Sequence, residues 1–182
     1  MESRLTRIVH ASDPTLTKYA MTTLQPFAQS GFLDYLERLA DAPTSATEAQ
    51  RVSAPLTTLL LSADGSGTPT RAAHELIALL RARKAVLQAT FDTALVADEL
   101  RRYQKFSKPG QPSPHIVGLR QKQAAARQAS NVAKQSLVKA ASAFAREAGI
   151  EVPQRVAIEV FIDKWIDTSL PKGISPSPSP SP

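Results

Sequence analysis

Apolar positions along the chain recur with the period of a helix, and polar breaks separate one helical segment from the next. Phe32, Leu33, Leu36, Leu39 and Ala40 fall on one face of a segment that Ser30 can cap and Pro43 stops. Before it, Asp13-Pro14 supplies a cap followed by proline at the first helical position, which predicts a short helix over 14–24. After it, Ser45-Ala46-Thr47-Glu48 has capping-box spacing and predicts another helix, which Pro55 must kink or split.

Asp64-Gly65-Ser66-Gly67-Thr68-Pro69 is a loop signal, with Thr68 as the expected cap and Pro69 at the first helical position. No Pro or Gly follows until Pro109, so a long helix is expected over 69–106. Leu76, Leu80, Leu87, Phe91 and Leu95 trace one stripe along it, continued with a drift by Val96, Leu100 and Tyr103. The proline-rich stretch 107–114 is a stiff loop. A second long helix is expected over 116–148, with Gly118 as a weak point and Gly149 as its stop. Pro153 is expected to open a last helix over 153–169. The β-branched run Val156, Ile158, Val160, Ile162 leaves a strand as the alternative there. Residues 171–182 end in four Ser-Pro dipeptides, cannot bury apolar surface, and are expected to be a disordered tail.

These elements predict an all-α fold: a helical bundle built on two long antiparallel helices, with shorter helices within 1–63 and a single domain over 1–170. Composition agrees. Of 182 residues, 42% are hydrophobic but only 5% aromatic, and Ala-rich, aromatic-poor sequence favours closely packed helices. There is no Cys, so thiolate zinc sites and cysteine nucleophiles are excluded from this sequence. The first residues hold no apolar run of signal-peptide length, and the most apolar run, Leu56 to Leu61, is six residues. A cytoplasmic or other intracellular protein without membrane insertion is expected.

Charge changes the picture most. From Leu100 to Arg146 there are ten Lys or Arg and no Asp or Glu. The whole chain is net +6, so everything outside this block sums to −4. A block of one sign repels itself unless a polyanion lies beside it, and nucleic acid is the commonest strong one in a cell. Within 116–148, Ala126, Ala129, Ala133, Leu137, Ala140, Phe144 and Ala148 form a narrow stripe that lets another helix approach closely. Arg120, Arg127 and Lys134, seven apart, lie together away from it, with Gln121, Gln123, Gln128, Ser130, Asn131, Gln135 and Ser136 between. Cations supply counterion-release affinity for phosphate, and the amides and hydroxyls supply hydrogen bonds. The candidate nucleic-acid contacts are Arg101, Arg102, Lys105, Lys108, Arg120, Lys122, Arg127, Lys134 and Lys139. Tyr103 and Phe106 are interleaved with them; base stacking is open to both, but Tyr103 extends the apolar stripe, which favours core packing.

The rival use of those charges is internal. Glu159, Asp163 and Asp167, four apart, make an acidic stripe that could face the basic helix. No catalytic signature accompanies either stripe. His74-Glu75-Leu76-Ile77-Ala78 has Ala78 where the helical zinc-protease pattern needs its second His, and Gly65-Ser66-Gly67 lacks the Lys of a phosphate loop. His10 and His115 have no sequence partners. No enzyme activity, catalytic residue, metal site or cofactor is therefore expected. Ser175, Ser177, Ser179 and Ser181 precede proline and are candidates for phosphorylation, with an inert spacer as the alternative. Self-association is expected through the Ala stripe and Phe161, Trp165 and Ile166.

The expectation is a non-enzymatic, self-associating nucleic-acid-binding protein that coats or organises RNA or DNA with little sequence specificity, as helical nucleoprotein or coat-type assemblies do. The alternative is a helical scaffold whose basic face binds an acidic protein partner. Docking on anionic lipid is disfavoured, because the basic helix lacks a bulky apolar face.

Overall fold

A computed structural model describes residues 26–41, 53–64, 66–105 and 113–172. The helix expected over 14–24, the capping-box segment 45–48, Phe106, Lys108 and the Ser-Pro serines lie outside the described residues. Among the described residues there are five helices and no strand: α1 (Ser30–Asp41), α2 (Ala54–Leu60), α3 (Arg71–Gln104), α4 (Pro114–Glu147) and α5 (Ile158–Ser169). The fold is the all-α bundle on two long helices that the sequence implies. No helix among the described residues is long and apolar enough to cross a membrane.

Several boundaries differ from expectation, each for a local reason. Pro55 sits in the first turn of α2, where its missing N–H leaves no bond unmade, and the segment that was expected to lead into it lies outside the described residues. Pro69 does not open α3. It pairs with Leu61 in an isolated antiparallel bridge, Thr70 N–H donating to Leu60 O at 2.8 Å and Ser62 N–H to Thr68 O at 2.9 Å. The cap therefore moves from Thr68 to Thr70, whose hydroxyl accepts from Ala73 N–H and donates to Leu59 O at 2.6 Å. The loop between is closed by Asp64, which accepts from Ser66 N–H at 3.0 Å and from its hydroxyl at 2.6 Å. These bonds, the hydroxyl's first, hold the Asp64 carboxyl below its ordinary range.

Ser113 caps α4 by accepting from Ile116 N–H, with Pro114 at the first position. Gly149, at φ 64°, ends it as expected. Ile150 N–H donates to Ala145 O at 2.9 Å and Gly149 N–H to Arg146 O at 3.3 Å, the paired bonds of a left-handed C-terminal cap. Pro153 does not open the last helix. It makes a separate turn, with Val156 N–H donating to Pro153 O at 3.0 Å, and α5 begins at Ile158 as a helix and not a strand. The fixed φ of proline suits a turn as well as a helix start.

α3 and α4, 34 residues each, run antiparallel for about 50 Å. Their register holds from end to end. Going outward along α3, Arg71, Thr93, Leu100 and Tyr103 meet Glu147, Ala126, Leu119 and His115 of α4 in turn. At one end this pair is wrapped by α1, α2 and α5 in a core that includes Phe32, Leu36, Leu76, Leu79, Leu80, Phe144, Ile162 and Ile166, all 0–1% exposed. We call this end the head. Beyond Arg81 and Leu137 the two helices continue as an arm, where the described buried residues are Ala89, Leu100, Ile116 and Leu119.

This division corrects two expectations. The stripe of α3 is buried at Leu76 and Leu80, but Leu87 and Leu95 are 41% and 48% exposed. The period is real; the covering helices α1 and α2 stop with the head. Tyr103 is likewise 48% exposed and does not pack in the core. Its ring meets His115 edge-on at 4.2 Å and closes the outer end of the arm. Phe161 and Trp165 pack against the head core and Ile166 is buried in it, Trp165 tilting on Phe144 at 5.0 Å, so these residues hold α5 within the chain.

Candidate nucleic-acid interface

Every basic residue proposed from the sequence and described in the structure is exposed: Arg101, Arg102 and Lys105 at the end of α3, and Arg120, Lys122, Arg127, Lys134 and Lys139 on α4. The helix distributes those of α4 by its own period. Arg120, Arg127 and Lys134 recur every two turns and form one row, about 10 Å between neighbours, roughly a quarter turn from the seam with α3. Lys122 lies on the opposite flank and Lys139 towards the far side of α4. Arg101 and Arg102 are level with the first turns of α4, because α3 and α4 run antiparallel. Gln121, Gln128, Asn131, Gln135 and Ser136 are exposed beside the row, and Gln123 and Ser130 are half-buried.

The acidic stripe does not neutralise this row. Asp163 and Asp167 of α5 turn instead to Arg83 of α3, whose Nε lies 3.0 Å from Asp163 Oδ1 and whose Nη2 donates to Asp167 Oδ1 at 3.1 Å. Arg83 Nη1 also reaches Gln29 Oε1 at 3.5 Å, so one guanidinium ties α5 and the segment before α1 to α3. Burial pushes the Asp163 carboxyl above its ordinary range, Asp167 and Glu159 push it the same way, and Arg83 opposes them. Glu37 takes Arg81 at 2.7 Å, and Glu147 takes Arg71 at 3.6 Å and Arg146 at 3.5 Å. Asp98 takes Arg101 at 2.7 Å.

Among the described residues, no carboxylate lies within 4.0 Å of Arg120, Lys122, Arg127, Lys134 or Lys139. Sequence reasoning missed Arg83 as the partner of the acidic stripe; within Arg81-Ala82-Arg83-Lys84 nothing in the spacing distinguishes it, and only its half-buried place on α3 does. It also missed the Tyr103–His115 contact, which arises from the helix register and not from spacing along the chain. The described residues hold no group of three or more His, Asp or Glu placed to bind a metal.

Comparisons with protein families, with characterised proteins and with solved structures gave no match to this chain.

Proposed function

We propose that this protein is a non-enzymatic nucleic-acid-binding protein that self-associates and coats or organises RNA or DNA through α4, with little sequence specificity. The observation that carries the reading is the set of five exposed cations on α4 with no carboxylate within 4.0 Å among the described residues. Solvated helix faces ordinarily mix signs, because acid–base pairs four apart support the helix. Here Asp98, Asp163 and Asp167 pair with arginines of α3, and exposed amides flank the cations. Contacts of this kind address the phosphate backbone, which is common to all sequences. The interface is spread over both flanks of α4 and the end of α3, which suits a strand lying along the arm or bridging neighbouring subunits.

The test is a titration against labelled single- and double-stranded oligonucleotides at several salt concentrations. Each phosphate contact should steepen the fall of log K with log salt by about 0.9 on duplex and about 0.7 on single strands. Exchanging Arg120, Arg127 and Lys134 together for Glu should abolish binding and flatten that slope. Helicity should be retained and stability should change by less than about 0.5 kcal/mol per site, since the three side chains are exposed. Absence of binding at low salt refutes the reading. Capture of acidic polypeptides under the same conditions would assign the basic row to a protein partner instead.

A further inference from the structure

The apolar stripe of α3 does not end with the head. Leu76 and Leu80 lie in the head core, and the same face continues outward as Leu87, Phe91 and Leu95. Leu87 is 41% and Leu95 48% exposed, and Phe91 is half-buried. At roughly 100° per residue this face lies on the side of α3 opposite Ala89 and Leu100, which are turned to α4. Among the described residues the arm is thus a two-helix layer with an exposed apolar outer face, continuous with the one buried in the head core.

The order of residues on that face reads nearly the same in both directions. Outward from Phe91, a leucine stands four residues away on each side, Leu87 and Leu95. Seven residues away stand charges of opposite sign, Lys84 before and Asp98 after, the latter also holding Arg101 of its own helix at 2.7 Å. An antiparallel copy laid over Phe91 sets Leu87 against Leu95 and Lys84 against Asp98, twice over. Parallel pairing would set like against like and oppose equal charges. Two-fold symmetry requires a self-complementary patch of this kind.

We infer that the outer face of α3 from Lys84 to Asp98 binds a second copy of this chain, antiparallel, with Phe91 at the two-fold axis. The inference rests on the self-association contained in the proposed function and names its surface. It takes the place of the Ala stripe and α5 as the contact, because Leu137, Ala140, Phe144 and Ala148 of that stripe and Phe161, Trp165 and Ile166 of α5 pack within the chain. The pairing orders the helices α4, α3, α3, α4 in one layer, with the axis normal to it. A rotation about that normal keeps each flank on its own side. The rows Arg120, Arg127 and Lys134 of both copies therefore share one face of the dimer, a platform wider than either arm.

The contact spans about four turns of helix, at the small end of specific interfaces, so micromolar affinity is expected. Sedimentation velocity of the full chain without nucleic acid, from roughly 1 to 300 µM, tests this range. The expected result is a concentration-dependent dimer. Leu87→Glu with Leu95→Glu should abolish it while circular dichroism stays unchanged, since both residues are exposed in the monomer. Lys84→Glu should weaken dimerisation about tenfold, and adding Asp98→Lys should restore it, because each exchanged pair again opposes unlike charges. A monomer throughout the range overturns the inference, as does a dimer indifferent to the leucine exchanges. A double charge exchange weaker than the single one overturns the antiparallel arrangement. Oligonucleotide binding by the monomeric leucine variant would leave the nucleic-acid reading standing, so the two failures are distinguishable.

Discussion

Head and arm are built from the same two helices in the same register, yet they are held together in different ways. In the head, α3 meets α4 on one side and α1 and α2 on another, and Leu76, Leu79 and Leu80 are fully buried. In the arm, α3 meets α5 and the segment before α1 only near its base, through Arg83, and the buried set shrinks to Ala89, Leu100, Ile116 and Leu119. A helix pair buries one seam; a third layer is needed to bury the opposite faces. The arm therefore leaves two faces exposed among the described residues: cations on α4 and an apolar stripe on α3. It also stands at the low end of local stability, where few apolar contacts oppose opening.

Exchanges in the two regions should separate them. The largest effect is expected from Phe144→Ala. Phe144 is 0% exposed and packs on Trp165, so its loss should cost about 3–5 kcal/mol in urea unfolding and loosen head and arm together. A cost below about 1 kcal/mol would show that the head is not the stabilising unit.

Leu119→Ala removes the centre of the three-residue cluster with Leu100 and Ile116, and should cost about 2–3 kcal/mol. Its signature is locality. Amide exchange should accelerate in 86–104 and 114–133 while the head core remains protected. Uniform acceleration would mean that head and arm open as one cooperative unit.

Gly118→Ala should act in the opposite direction and least. Gly118 lies within α4, and a Cβ there would meet nothing within 4 Å. Alanine should therefore stabilise the arm by about 0.5–1 kcal/mol, read as slower exchange across 114–133. A destabilised variant would mean that another chain approaches Gly118 closely.

Much of this architecture was legible from local rules. The long helices, the cap at Ser113, the stop at Gly149 and the inward face of α1 all follow from capping, proline and period, which act within a few residues. The exposed basic row was legible for the same reason, since heptad spacing on one helix determines its own face. Boundaries failed at two prolines, one claimed by a neighbouring segment and one by a local turn. Pro69 was drawn into a bridge with Leu61, and Pro153 closed a turn of its own.

By itself the sequence determined where the two long helices lie, which residues line each face of them, and where the positive charge lies, because these depend on chain neighbours alone. Tertiary structure decided how far the covering helices reach, and hence that one continuous stripe is core at Leu80 and surface at Leu95. It also decided that Asp163 and Asp167 meet Arg83 and not the row on α4. Burial and ion pairing are properties of what lies across a gap in space, and the period of a single helix carries no record of that.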